Sequence, residues 1–169
     1  MKMNRSGVRF GGHFVVECIK PDGRMHWREE MDNLVVNVGL QHILNTVFSG
    51  SAQTTTWYVG LCSSSPTIAS TNTMASHAGW TEKTSYDEAT RQAYTEVRTN
   101  QSLSNTAAKA AFTISATSVI GGAFLTSLNT KGGTTGTLMC AAAFTGGNKS
   151  ADDNDTIQVT YTFTAGDDA

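Results

Sequence analysis

The sequence predicts an all-β protein: a mainly antiparallel β-sandwich, jelly-roll-like, with an N-terminal β-hairpin and one α-helix near residues 34–48. Three observations predict it. Thr and Ser supply 40 of the 169 residues, and the branched Cβ of Thr suits a pleated surface. From residue 57 onward, short apolar or alternating runs recur between Gly-rich and polar turns, the pattern of a sandwich or barrel. Only one window carries a helical period.

The elements follow in order. Val8, Phe10, Phe14, Val15, Val16, Cys18 and Ile19 crowd a first strand, interrupted by Gly11-Gly12, where a bulge or bend is expected. Pro21-Asp22-Gly23-Arg24 has the residue types of a tight reversal, and Met25-His26-Trp27-Arg28-Glu29 alternates after it, completing a hairpin. Asp32 and Asn33 are good helix caps. Leu40, Ile43, Leu44, Val47 and Phe48 then fall at i, i+3, i+4, i+7 and i+8, a single apolar stripe, and Gly50 stands where a helix ends. Gly39 weakens that helix. Trp57 to Cys62 reads as an apolar strand with Trp57 and Tyr58 largely buried, and Ser63 to Ala78 as a polar loop in which Thr71 to Ser76 forms one helical turn. Further strands are expected near 81–86, 91–99, 110–115, 118–127, 137–145 and 155–164. The last alternates Ile157, Val159, Tyr161 and Phe163 with Gln158, Thr160, Thr162 and Thr164, which marks one buried and one wet face. A polar linker near Ser49 to Thr55 divides residues 1–50, hairpin plus helix packed on or extending from the main body, from a sandwich over 51–169. The first piece is too small to be stable alone.

Composition excludes several functions. Charged residues make up 15% and the net charge is −2. The 12 basic residues form no run of three, so nucleic acid is not an expected partner. No run approaches the ~20 apolar residues of a membrane span, and the N-terminus MKMNRSGVRFGGHF lacks the apolar run of a signal peptide. Cys18, Cys62 and Cys140 are an odd set without paired spacing. They read as small buried hydrophobes rather than disulfide or zinc ligands.

No catalytic residue is predicted. His13, His26, His42 and His77 lack metalloprotease spacing, and no serine sits in a nucleophile elbow. Lys131 to Thr137 has the letters of a phosphate loop in the wrong order and reads as a hairpin loop. Asp152, Asp153 and Asp155 are weak candidates for a cation site through oxygen ligands; otherwise no metal and no cofactor are expected. The Asp167-Asp168 pair reads as a frayed tail. Trp27, Trp57, Tyr58, Trp80, Tyr86 and Tyr94 belong either to core and interface or to a sugar-binding platform.

Several stretches resemble small virion proteins of tailed bacteriophages. Asn33-Leu34-Val35-Val36-Asn37-Val38-Gly39-Leu40 is similar to an "NLV-N-x-G-L" opening of such proteins. Trp57 to Leu61, Met74 to Glu82, Gly121 to Leu125, Lys131 to Leu138 and Asp155 to Phe163 carry the resemblance on, so that it spans residues 33 to 164. It implies a non-enzymatic particle component located on the virion, on the capsid surface, and made in the host cytoplasm. The form expected is a capsid decoration or cement protein, trimeric, whose partners are the major capsid protein and copies of itself. The alternatives are a tail or head-fibre (vertex) component and, from a different class, a carbohydrate-binding β-sandwich module. A two-stranded hairpin needs its apolar face covered, so Val8, Phe10, Phe14, Val16 and Trp27 are the expected interface, with the hairpin as clamp. The competing arrangement folds that hairpin back onto its own sandwich.

Overall fold

The computed structural model describes residues 7–167. The chain runs β1 (Val8–Ile19), β2 (Met25–Asp32), β3 (Leu34–Val35), α1 (Asn37–Phe48), β4 (Trp57–Cys62), β5 (Glu82–Lys83), β6 (Gln92–Tyr94), β7 (Val97–Thr99), β8 (Ser102–Ser104), β9 (Ala110–Thr113), β10 (Ser118–Ile120), β11 (Gly122–Thr126), β12 (Leu138–Ala143), β13 (Lys149–Ala151) and β14 (Thr156–Asp167). All pairings are antiparallel. One sheet has the order β2-β1-β14-β8-β7, with β9 also on β14; the other has the order β3-β12-β11-β4-β5, with β6 also on β4; β10 and β13 form a small separate ribbon. This is the all-β sandwich with a single helix that the alternating strands predict.

The alternation of β1 and β14 decides what fills the space between the sheets. Phe14, Val16 and Cys18 from β1 and Ile157, Val159 and Tyr161 from β14 are fully buried, and they meet Val59 and Leu61 of β4 and Cys140 and Ala142 of β12 in one cluster. Phe14 stacks on Tyr161 with ring centroids 4.3 Å apart. The Tyr161 hydroxyl accepts hydrogen bonds from Asn33 Nδ2 (3.0 Å) and Cys140 Sγ (3.3 Å), tying the two sheets together. Gly12 passes directly over this ring, and a Cβ there would overlap the Tyr161 hydroxyl. Close approach, rather than a bulge in the ladder to β14, is the reason for that glycine; this ladder runs unbroken from Val8↔Asp167 to Ile19↔Thr156. Asp167 is therefore paired in a strand and is not part of a frayed tail; Asp168 lies outside the described residues.

The hairpin belongs to the first sheet, with β2 at its edge and β1 inside it. β1 is hydrogen-bonded to β14 on one side and to β2 on the other. It neither projects nor forms a separate layer.

The helix begins three residues later than expected, because Leu34 and Val35 are taken by the ladder to β12. Asp32 and Asn33 do not cap it. The N-cap is Val36, without a side-chain bond, and Asn33 is committed elsewhere, its N–H to Gly12 O (3.0 Å) and its amide to Tyr161. Gly39 is the buried residue of α1, and a Cβ there would strike the Met139 carbonyl. The glycine that weakens the helix in isolation is what lets it lie against the β12 backbone.

Residues 63 to 81 cover the outer face of the second sheet, which is why β11 is buried at all five positions. Met74 and Trp80 pack there with Phe124, Leu138 and Cys62. No helical turn forms at Thr71 to Ser76. Instead Asn72 Oδ1 accepts from Ala69 N (3.0 Å) and Trp80 Nε1 (3.1 Å), and Thr67 N donates to Gly79 O (2.8 Å). The polar composition of this segment reflects backbone groups satisfied locally over an apolar floor. Trp57 and Tyr58 are half-buried rather than enclosed; Trp57 packs on the core edge and against the His42 ring at 5.2 Å.

Candidate functional site

Of the five residues expected to form an interface, two are core. Phe14 and Val16 have no exposed surface; alternation on a central strand turns them inward, where no partner reaches. This corrects the expectation for both. Trp27 is half-buried, donating from Nε1 to Ser150 O (2.7 Å) and packing edge-on against Phe144. Phe10 stacks on Phe163 at 6.0 Å, and Val8 is exposed.

Four exposed apolar residues cluster on α1. Gly39 and Ile43 hold the helix to the body, which leaves Leu40, Leu44, Val47 and Phe48 outward, with Val47 64% and Phe48 80% exposed. The stripe read in the sequence is therefore only partly a core stripe. Beside it runs an apolar groove of about 320 Å³ bounded by Ile43, Val47, Trp57, Leu103 and Phe163. The six aromatic residues of a possible sugar platform share no surface: Trp80, Tyr86 and Tyr94 are buried.

The phosphate-loop look-alike is a clasp. Arg91, fully buried, donates Nε to Glu82 Oε1 (2.9 Å), Nη2 to Glu82 Oε2 (2.7 Å), Nη1 to Leu128 O (2.9 Å) and Nη2 to Gly133 O (2.7 Å). Gly132 N donates to the same carboxylate (2.9 Å), and Lys131 Nζ donates to Tyr86 O (2.9 Å) and Glu88 O (2.6 Å). The loop's glycines bring backbone to these charges; its lysine is spent on carbonyls.

The acidic turn does not gather its three aspartates into one cage. Lys20 Nζ sits between Asp152 Oδ2 (2.7 Å) and Asp155 Oδ2 (3.0 Å), and Asp153 accepts from Asn154 Nδ2 (2.9 Å). Those two ion pairs hold the Lys20 ammonium above its usual pKa. Burial pushes the Asp155 carboxyl up, but the Asp152 N–H, Lys20 and Cys18 outweigh it and leave the group below the usual carboxylate range.

Asp155 keeps different company. Its Oδ2 accepts from Cys18 Sγ at 3.4 Å, and a ring nitrogen of His26 completes a trio in which one donor atom from each residue lies within 4.8 Å of the others. A bulge makes this possible. Cys18 faces Trp27 while Ile19 faces Met25, so His26 is the extra residue of the hairpin ladder. The trio does not resemble a cysteine nucleophile. Burial, reinforced by Asp155, pushes the Cys18 thiol up to about 12, whereas an active thiol needs a lowered pKa; and its S–H donates to the aspartate. Sequence inspection missed the trio because its members lie on β1, on β2 and in the turn before β14. The one legible signal was that Cys18 and His26 flank the same tight turn.

Among the described residues no histidine hydrogen-bonds to a serine, threonine or cysteine side chain. His13 bonds to Asp32 Oδ1 (2.9 Å) at the surface, and His77 Nδ1 lies 3.0 Å from Thr73 O. Among these residues no helix is long and apolar enough to cross a membrane. No protein-family model matches the chain, and no curated protein is significantly similar to it.

Proposed function

We propose that this chain is a non-enzymatic structural protein of a tailed-phage particle: a capsid decoration protein, trimeric, that binds and stabilises the major capsid shell. The observation that carries the reading is the outward face of α1. Leu40, Leu44, Val47 and Phe48 form one continuous apolar strip on a chain with few charges, and such strips mark protein contacts. The resemblance read in residues 33 to 164 points to a virion shell as the partner, and the sandwich, with its first and last strands β1 and β14 paired in one sheet, supplies the platform. The docking element is the helix rather than the hairpin, whose Phe14 and Val16 are spent on the core.

Mixing the purified protein with particles that lack it tests the reading. Wild-type protein co-sediments with the shells. Val47→Asp/Phe48→Asp places two charges in the strip and weakens that binding at least about tenfold, since each buried unpaired charge costs more than the ~1.4 kcal/mol of a tenfold change. Its melting temperature stays at the wild-type value, because both side chains are exposed in the free protein. Equal binding by the variant contradicts the helix as the docking face.

A further inference from the structure

We propose that Cys18, His26 and Asp155 bind one zinc-type divalent metal ion, with a water as fourth ligand. The inference is independent of the particle role.

The donor set is the first argument. A thiol, an imidazole and a carboxylate together suit zinc and the neighbouring late transition metals, and suit calcium or magnesium poorly. Spacing is the second. Bonds of about 2.0–2.3 Å at tetrahedral angles place ligand atoms about 3.3–3.7 Å apart. Cys18 Sγ and Asp155 Oδ2 already stand at 3.4 Å, and a His26 ring nitrogen is within 4.8 Å of the Cys18 sulfur and of one Asp155 carboxylate oxygen. Closing the trio asks only for a small movement of the one exposed member, His26, which sits at a bulge.

The third argument is an unmet polar group. The Asp155 side chain is 1% exposed. Its Oδ2 is shared by Cys18, Lys20 and the Asp152 N–H, while its Oδ1 is buried with no hydrogen-bond partner. A buried carboxylate oxygen without a protein donor is costly, and a cation held at this carboxylate would offset that cost. Charge also balances. On binding, the Cys18 S–H bond breaks and its proton leaves to solvent, so thiolate and carboxylate neutralise the dication. Lys20 stays paired with Asp152, with which it already makes its shorter contact. The ion would then pin β1, β2 and the turn before β14 at the end of the first sheet.

Cobalt(II) is the probe, because thiolate–cobalt charge transfer and intense visible d–d bands report tetrahedral sulfur ligation. The full-length protein, purified with reductant and stripped of metal, is expected to take up one Co²⁺ per chain with both signals. Zn²⁺ then displaces them and raises the melting temperature. Cys18→Ser removes the charge-transfer band. His26→Ala, at an exposed position, keeps the metal-free melting temperature and weakens Co²⁺ at least about tenfold. The proposal is overturned by absence of the charge-transfer band at saturating Co²⁺, by its persistence in Cys18→Ser, or by wild-type affinity in His26→Ala.

Discussion

Removing residues 1–31 will leave a chain that does not fold. β1 is bordered by β14 and β2, and it supplies Phe14, Val16 and Cys18 to the space between the sheets, all without exposed surface. Its loss strips a twelve-residue ladder from β14 and opens the inner faces of Ile157, Val159 and Tyr161 to water. Truncating a single buried Phe to Ala costs about 3–5 kcal/mol, against a total stability of about 5–15 kcal/mol for a domain; losing three core side chains and a central strand exceeds that margin. The expressed truncation should collect in the insoluble fraction, and any soluble remainder should show no cooperative melt. A soluble, cooperatively melting truncation would mean that the hairpin is an appendage, as the clamp arrangement requires.

Arg91→Ala is a point substitution with a large expected cost. The guanidinium is fully buried and Glu82 is 7% exposed, so deleting the arginine strands a carboxylate in the interior and frees the carbonyls of Leu128 and Gly133. Breaking such a pair from one side costs about 3–5 kcal/mol. Chemical denaturation should show that loss, and the Arg91→Met/Glu82→Gln double variant should recover much of it by removing both charges. Wild-type stability in Arg91→Ala would show that the clasp is not closed in solution.

What could be read from the chain depended on how local the determinants were. The hairpin announced itself through Pro21-Asp22-Gly23-Arg24, and β14 through strict alternation from Ile157 to Phe163. Both are patterns within a dozen residues. The position of the hairpin was not local: that β1 is a central strand depends on its pairing with a strand over a hundred residues away. The helix period was visible, but not which part of the stripe faces out, because Gly39 sets the face that packs on the body through one close approach to Met139. β8 and β13, three residues each, are too short to show a period. The Arg91–Glu82 clasp and the Cys18–His26–Asp155 trio join residues from separate elements, and neither leaves a motif.

Counting copies of this chain in purified particles tests the central claim most directly. Densitometry of the particle proteins, scaled to the major capsid protein, should give hundreds of copies per particle, in a fixed ratio to the shell lattice as decoration demands. A handful of copies would place the chain at the tail or a head fibre instead, and its absence from purified particles would contradict the structural role altogether.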